Sequence, residues 1–486
     1  MSDSEAPIEQ QPSAADEPSS TLRRLHRWFW RWHFWPGMFL APLILIASIT
    51  GGIYVWKDEV EALTLRTFKQ LEPHGERVTF DEIATLSLER PRGAWFTSAP
   101  AAVGELAQSP VPLDGEAPPQ TRLTFDEIAS AALAHTPGAL LSINWTGDAN
   151  TSMEVFIRNA EDETVNVWVN PYTGEVLGAL LRDEMFFPMM RDLHRFLWSG
   201  RALGDVLPGR LLVELATSWT VLLTISGIVL WWNGTRKNSE QWKLFRRHKP
   251  YVNWRNWHTV PAVWLSAVIL LVLVTGLTFS KGSGTLWKAG GAVAGAFPKE
   301  YLAHPKYDPG QPTLSLETLF AKASKPEDDS ALSFVTYAEA GMVPMLLRGD
   351  YQNAPWELTF TWIDPVSGDI INRGSYADLS GFAQFLTASY SLHVGSFGGP
   401  ATKILATLIC LLLVFLVVSG VVMWWIRRPK GKSGIPRRQR EHLPKSVIAV
   451  NVVLAILFPV IGLSLLLMLA AFGLTHLLRD RWLQTG

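Results

Sequence analysis

The sequence predicts a polytopic α-helical membrane protein of five spans with two extracytoplasmic α+β domains, built by duplicating a span–domain–span unit. Three observations predict it. Five uncharged apolar runs reach spanning length, the basic residues gather in three short segments, and several motifs recur in the same order in both halves.

Composition agrees with a chain that is part membrane and part water-facing. Of 486 residues, 48% are hydrophobic and 18% charged, against about 25% charged in an ordinary soluble domain. Mean hydropathy is +0.13, too low for a chain wholly inside lipid. The formal net charge of −1 supplies no basic field for nucleic acid. Cys410 is the one cysteine, which removes intrachain disulfides, Cys-ligated zinc and iron–sulfur clusters. Histidine, at 11 copies, is the remaining softer ligand.

Residues 1–20 are acidic, rich in Pro and Ser and free of aromatics, and read as a disordered cytoplasmic tail, not a signal peptide. Span 1 falls in 21–57 (uncharged over 34–56), span 2 in 209–233 and span 3 in 258–280 (uncharged over 259–280). Span 4 falls in 401–426 and span 5 in 446–478. Arg23, Arg24, Arg27 and Arg31 precede span 1, and the loops 234–257 and 427–445 are strongly basic. Together these segments hold 19 of the 43 basic residues, so the positive-inside rule makes them cytoplasmic. The long connections 58–208 and 281–400 are then extracytoplasmic domains, each ending in an interfacial helix, and 479–486 ends outside.

The duplication is read from paired motifs. Trp32-His33-Phe34-Trp35-Pro36 and Trp257-His258-Thr259-Val260-Pro261 share W-H-x-x-P, and each His is followed 17 residues later by Thr-Gly, at Thr50-Gly51 and Thr275-Gly276. Spans 2 and 4 close with S-G-x-V-x-W-W, from Ser226 to Trp232 and from Ser419 to Trp425. Leu193-His194 and Leu392-His393 stand in matched amphipathic stretches before those spans. Asn170-Pro-Tyr-Thr-Gly174 and Asp364-Pro-Val-Ser-Gly368 are matched turn signals between alternating strands. The helix start Thr124-Phe-Asp-Glu-Ile-Ala129 has a partial copy at 79–84.

Four histidines occupy matched places. His33 and His258 lie at the cytoplasmic starts of spans 1 and 3, and His194 and His393 at the outer face, so the two halves contribute one histidine each to either face. Singly, each reads equally as a hydrogen-bonded interfacial residue. As symmetric pairs they supply the two neutral axial ligands of a bis-histidine haem, one at each face, forming an electron path across the bilayer. Gly51, Gly52, Gly227, Gly276 and Gly420 leave room for close approach of helices or of a flat ring. Arg195 could pair with a haem propionate, an anionic ligand or a lipid headgroup. His26 is a lesser alternative ligand, and His74, His135, His248, His304, His442 and His476 read as solvated, loop or unmatched positions. No H-E-x-x-H, G-x-G-x-x-G, P-loop or G-x-S-x-G occurs, so zinc, nucleotide and serine-hydrolase chemistry have no support.

Arg24-Leu25-His26-Arg27 through Trp32-His33, Thr50-Gly51, the two N/D-P-x-S/T-G turns and the two S-G-x-V-x-W-W endings resemble the PepSY-associated transmembrane family over about residues 21–428. The resemblance implies PepSY-like outer domains and a bacterial inner-membrane location. Its ferric-siderophore reductase members imply two haems b on His33, His258, His194 and His393. It further implies a ferric siderophore or another ferric chelate as partner, beside membrane lipid. The electron donor, a quinol or a cytoplasmic reductase, is left open. PepSY domains also resemble peptidase-inhibitory modules, so the rival reading is a non-enzymatic membrane module that binds a periplasmic protein. A transporter built on the repeat is disfavoured, because the runs carry few polar residues beyond Ser and Thr.

Overall fold

The computed structural model describes residues 20–71, 122–235, 242, 244, 250–297, 306–308, 310–324, 332–335, 342–350, 352–431, 434 and 445–485. Residues 1–19, most of the two basic loops and the partial repeat at 79–84 lie outside them. The chain is mostly helical, with a few candidate membrane helices and antiparallel β-structure.

α1 (Ser20–Phe39) and α2 (Ala41–Tyr54) form a pair bent by 65°. α3 (Lys57–Thr64) and α4 (Arg66–Lys69) lead to the strand-bearing side of the helices, labelled outer for that position alone, where α5 (Phe125–His135) precedes β1 (Ala139–Trp145), β2 (Met153–Arg158), β3 (Thr164–Val169) and β4 (Val176–Leu181). α6 (Phe186–Phe196) and α7 (Ser199–Leu203) return to α8 (Leu207–Thr235), whose stretch Leu207–Trp232 is long and apolar enough to cross a membrane. α9 (Pro250–Trp264) and α10 (Ser266–Leu277) are a second bent pair, at 67°. α11 (Ser283–Val293), α12 (Leu316–Ala323), β5 (Leu332–Val335), β6 (Met345–Arg348), β7 (Thr359–Ile363), β8 (Ile370–Ser375) and α13 (Gly381–Val394) follow. α14 (Gly399–Arg427) is the second straight candidate span, and α15 (Lys445–Leu457) and α16 (Pro459–Thr485) complete the chain.

Three of the continuous runs expected from the sequence are each two helices. The runs at 34–56, 259–280 and 446–478 break at Leu40, Leu265 and Phe458. Among the described residues, two helices therefore qualify as spans, or four if each bent pair counts as one. The physical causes are local. Pro42 in the first turn of α2 and Pro459 at the start of α16 have no N–H to continue a helix. Ser266 instead turns its hydroxyl back onto the Val263 carbonyl at 2.8 Å, which loosens the next turn. Pro36 and Pro261, four residues before the first two breaks, add matched weaknesses.

The bends decide which helices touch. α1 packs on α8 while α2 packs on α14; α9 packs on α14 while α10 packs on α8. Each bent pair thus contacts one straight helix before its break and the other after it. Trp219, Ile269, Leu273, Leu277, Ile409 and Leu413 fill the resulting core with Phe458 and Ile461.

The transmembrane regions are also less purely apolar than expected. Glu214 in α8 is buried and accepts from the Gly282 and Ser283 amides at 2.8 and 2.6 Å, capping α11. Lys403 in α14 is buried and pairs with Glu59 at 2.8 Å and Asp58 at 3.5 Å on α3. Both lie one residue outside the uncharged runs (215–233 and 404–426), where helix geometry extends further than the absence of charge.

The outer strands form two four-stranded antiparallel halves, β4-β3-β2-β1 and β5-β6-β7-β8. The two halves join edge to edge. β1 pairs antiparallel with β5, Ser142 opposite Val335 and Trp145 opposite Leu332, giving one eight-stranded sheet. Alternate β2 residues Met153, Val155 and Ile157 point into the core, where Phe125, Ile128 and Ala132 of α5 and Leu319 of α12 cover the same sheet face. The turn motifs form as the sequence predicts. Asn170 Oδ1 accepts from the Tyr172 amide and Asp364 Oδ1 from the Val366 amide, at 2.9 and 2.8 Å. Gly174 and Gly368 then take φ of 74° and 75°, the left-handed region open to glycine.

The two helices covering the sheet cap one another. Asp126 of α5 accepts from the Leu316 and Glu317 amides at 2.8 and 2.9 Å, and Glu317 of α12 accepts from the Phe125 amide at 2.9 Å. Glu317 also holds Arg122 at 2.8 Å. Each acid sits at the N-terminal end of the opposite helix, where orphan N–H groups favour it. Removing either acid as Asp126→Ala or Glu317→Ala should destabilise the outer region by about 1–2 kcal/mol. Hydrogen exchange locates the effect: Asp126→Ala should speed exchange at Leu316 and Glu317, and Glu317→Ala at Phe125. Acceleration confined to the substituted residue's own helix would contradict the exchanged caps.

Candidate functional site: two histidine pairs

The bends and the crossed packing bring the four matched histidines together as two pairs. His33 of α1 faces His258 of α9 with ring centres 6.3 Å apart and planes at 80°. His194 of α6 faces His393 of α13 with ring centres 6.1 Å apart and planes at 56°. Both pairings join residues more than 190 positions apart in the sequence.

Each ring is oriented by a hydroxyl or carbonyl on a neighbouring helix. His33 Nδ1 donates to Ser226 Oγ at 3.0 Å, and His258 Nδ1 to Ser419 Oγ at 2.9 Å. Those hydroxyls spend their own hydrogens on Leu223 and Leu416 carbonyls, so toward histidine they accept. His194 Nδ1 donates to the Ala47 carbonyl at 2.9 Å, and His393 Nδ1 to the Val272 carbonyl at 2.8 Å. Thr50 Oγ1 and Thr275 Oγ1 stand beside these bonds at 3.2 and 3.5 Å. A carbonyl can only accept. All four imidazoles therefore carry their proton on Nδ1 and present Nε2 as the lone-pair nitrogen, the tautomer and orientation a metal ligand requires.

A glycine follows each anchoring hydroxyl in the chain and receives the ring edge. A Cβ on Gly276 would lie 2.8 Å from His393 Cε1, one on Gly51 3.1 Å from His194 Cε1, and one on Gly227 3.2 Å from His33 Cε1. Gly420 stands off, at 3.8 Å from His258 Cε1. The unit is thus a Ser-Gly or Thr-Gly dipeptide used four times. Sequence spacing had set Thr50-Gly51 beside His33, 17 residues earlier. In the fold that dipeptide serves His194, and Ser226-Gly227 serves His33.

The outer pair does not sit at the surface. Ala47 lies seven residues before the end of α2, so the His194 ring reaches about 10 Å along that helix at 1.5 Å per residue. Burial lowers the His194 imidazole to about 4, with the nearby His393 contributing, and burial lowers His393 in the same direction. Along α14, Cys410 beside Gly51 marks the outer level and Ser419 the inner level. Nine residues at 1.5 Å each separate the two levels by about 14 Å.

The spacing within each pair fits one metal ion between two rings. Two metal–imidazole bonds of about 2.0–2.1 Å, plus about 1.1 Å from nitrogen to ring centre on each side, would span roughly 6.2–6.4 Å between two ring centres. The observed 6.3 and 6.1 Å agree. Among the described residues no group of three or more His, Cys, Asp or Glu side chains gathers as a metal cage. Two imidazoles would fit a metal that brings its remaining ligands with it, as haem iron does.

The other histidines are not drawn in. His26 and His135 are exposed, and His135 bonds only its neighbour Thr136, at 3.0 Å. His74, His248, His304 and His442, and the side chain of His476, lie outside the described residues. Arg195 is half-buried beside His194, with its guanidinium 5.2 Å from the Phe196 ring centre. Arg210 of α8, whose Nη2 donates to the Phe279 carbonyl at 2.9 Å while the Phe279 ring lies 6.3 Å from that of His393, escaped sequence reasoning because it belongs to no repeated motif.

Bent and straight apolar helices, two half-buried histidine pairs and an antiparallel sheet define a class of transmembrane protein with paired histidines. The family model described as PepSY-associated TM region matches residues 30–427, and the chain belongs to the PepSY-associated transmembrane family. No curated protein matches it.

The glycines predict a graded response. Gly276→Ala forces a Cβ against a ring already pinned to Val272 and should cost about 1–3 kcal/mol. Gly420→Ala makes ordinary contact and should be neutral or stabilising by up to about 1 kcal/mol through helix propensity. Unfolding midpoints of the two variants in the same detergent should move apart; equal shifts would contradict the close packing of ring on glycine.

Proposed function

We propose that the protein is a di-haem reductase of the bacterial inner membrane that delivers electrons outward to a ferric siderophore or similar ferric chelate. The observation that carries this reading is the ring-centre spacing of 6.3 and 6.1 Å in the two histidine pairs, each ring fixed in the Nδ1–H tautomer. Haem b bound at each pair would supply reversible one-electron Fe(III)/Fe(II) chemistry.

The chain's own residues do the rest. His33 and His258 hold the inner site and His194 and His393 the outer, while Ser226, Ser419, Ala47 and Val272 keep the imidazoles from rotating. Trp219, Ile269, Leu273 and Ile409 exclude water from the intervening core. The net conversion is one-electron: a ferric chelate outside gains one electron and becomes ferrous, which weakens the hold of hard oxygen ligands. A quinol supplying the electrons reduces two chelates and releases two protons; a reduced cytoplasmic carrier is the other donor class. The apolar hollow of about 440 Å³ lined by Trp257, Pro261 and Phe415, next in sequence to His258, favours an apolar donor such as the quinol ring.

This reading takes the chain as a span–domain–span duplication with a fifth span appended. The N-terminus is cytoplasmic, and the eight-stranded sheet belongs to the periplasm. Matched bends of 65° and 67°, matched turns and matched histidine anchors support it.

The test is a dithionite-reduced minus oxidised spectrum of the detergent-purified protein with pyridine haemochrome quantification. About two haems b per chain are expected. His33→Ala and His194→Ala should each remove about one, leaving the other site's spectrum in place. A flat spectrum after expression with ample haem overturns the reductase and leaves the PepSY module that binds a periplasmic partner.

A further inference from the structure

The four imidazole anchors are built alike but hold their rings by different atoms. Each pairs a serine or threonine at position i with the backbone carbonyl at i−3: Thr50 with Ala47, Thr275 with Val272, Ser226 with Leu223 and Ser419 with Leu416. At the outer pair the carbonyl is the nearer acceptor, 2.9 Å from His194 Nδ1 and 2.8 Å from His393 Nδ1. The threonine hydroxyls stand behind it at 3.2 and 3.5 Å. At the inner pair the serine hydroxyl is the nearer acceptor, 3.0 Å from His33 Nδ1 and 2.9 Å from His258 Nδ1.

The difference follows from where each hydroxyl sends its own hydrogen. Ser226 and Ser419 donate to the i−3 carbonyls of Leu223 and Leu416, both at 3.1 Å. Thr50 and Thr275 make their shorter bonds to the i−4 carbonyls, Ile46 at 2.6 Å and Leu271 at 2.7 Å. Their bonds to i−3 are longer, at 3.3 and 3.0 Å. The threonine methyl shares the carbon that bears the hydroxyl and restricts its rotation. The threonine hydroxyl therefore leans toward i−4 and leaves the i−3 carbonyl to the imidazole. Serine takes the i−3 carbonyl and meets the ring in its place.

Acceptor strength then separates the two pairs. Amide resonance leaves a carbonyl oxygen more negative than a hydroxyl oxygen, and each outer ring has the threonine oxygen as a second acceptor. A stronger acceptor draws the Nδ1 hydrogen away from the ring and makes Nε2 the more basic ligand. A more basic axial ligand favours ferric over ferrous iron.

We infer that the use of Thr50 and Thr275 at one pair, and of Ser226 and Ser419 at the other, sets the outer site at a lower reduction potential than the inner. These four are positioning residues that act through the imidazoles they hold, and the inference rests on the di-haem reading above. One electron passes from ferrous iron at the inner pair to ferric iron at the outer pair and on to the chelate. No proton moves with it, because each Nδ1 keeps its hydrogen. Without a chelate the electron stays at the inner pair; the outer pair, the more reducing, is the one that discharges.

The test is a spectroscopic redox titration of the detergent-purified protein, with His33→Ala and His194→Ala proteins assigning each transition to its pair. The electron should prefer the inner site by at least about tenfold, a separation of about 59 mV for one electron. Thr50→Ser/Thr275→Ser should raise the outer midpoint alone, and Ser226→Thr/Ser419→Thr should lower the inner midpoint alone, each changing that ratio by at least about threefold. Every exchange keeps a hydroxyl in place, and a merely structural role would not move the two sites in opposite directions. Where a double exchange loses haem, the single Thr50→Ser and Ser226→Thr proteins are read by the same criterion. An outer midpoint at or above the inner one, or midpoints unmoved in variants with full haem content, overturns the inference and leaves the di-haem reading standing. Protein that binds no haem overturns both.

Discussion

Everything at the centre of this protein depends on how a half-buried imidazole among apolar helices satisfies its two nitrogens. Apolar surroundings make an unpaired ring nitrogen costly, and all four matched histidines meet that demand the same way. Nδ1 gives its hydrogen to an oxygen on an adjacent helix, and for His33, His194 and His393 a glycine of that helix makes space for the ring. The bond fixes the tautomer and leaves Nε2 as the lone-pair nitrogen. Ser226 and Ser419 can accept because each spends its own hydroxyl hydrogen on a carbonyl one turn earlier.

That geometry requires the helices to change partners partway along. A straight helix at the position of α1 and α2 would stay against α8 throughout. The break at Leu40 instead lets α2 reach α14, and the break at Leu265 lets α10 reach α8. The result is an interlocked set in which each straight helix touches a bent pair from either half. Small residues at the contacts, Gly51 and Gly52 against Cys410 among them, suit close packing in lipid, where the hydrophobic effect does not press helices together. Polar residues near the outer ends, Glu214 and Lys403, are tolerated because each is fully engaged, one as a helix cap and one in an ion pair.

Outside the helices, the same pairing of halves is repeated in β-structure. The β1–β5 ladder makes one sheet from two, and the exchanged caps of Asp126 and Glu317 tie the covering helices at their N-termini. The sheet leads into α6 through β4 and into α13 through β8, the two helices that carry His194 and His393. A rigid joined sheet thereby holds the two ends of the outer histidine pair in register. Two independent domains would leave that spacing to the lipid-embedded helices alone.

Local features were legible along the chain: the apolar runs, the Asx turns closing on Gly174 and Gly368, the Thr124 helix start, and four histidines at matched positions. Each depends on residues within a turn or two of one another, where propensity and periodicity act. The Ser-Gly and Thr-Gly dipeptides were visible too, yet their assignment was not, because Ser226 lies 193 positions from the ring it anchors. The breaks at Leu40 and Leu265 escaped a reading based on charge, since bending an apolar helix leaves its hydropathy unchanged. By itself, then, the sequence determined which segments are apolar, where the turns fall and which histidines correspond. Tertiary structure alone decided which ring faces which, which oxygen holds each Nδ1 and that two β-halves share one sheet. The reason is physical: those relations are set by packing between distant segments, and nothing in a local pattern encodes a distance across the fold.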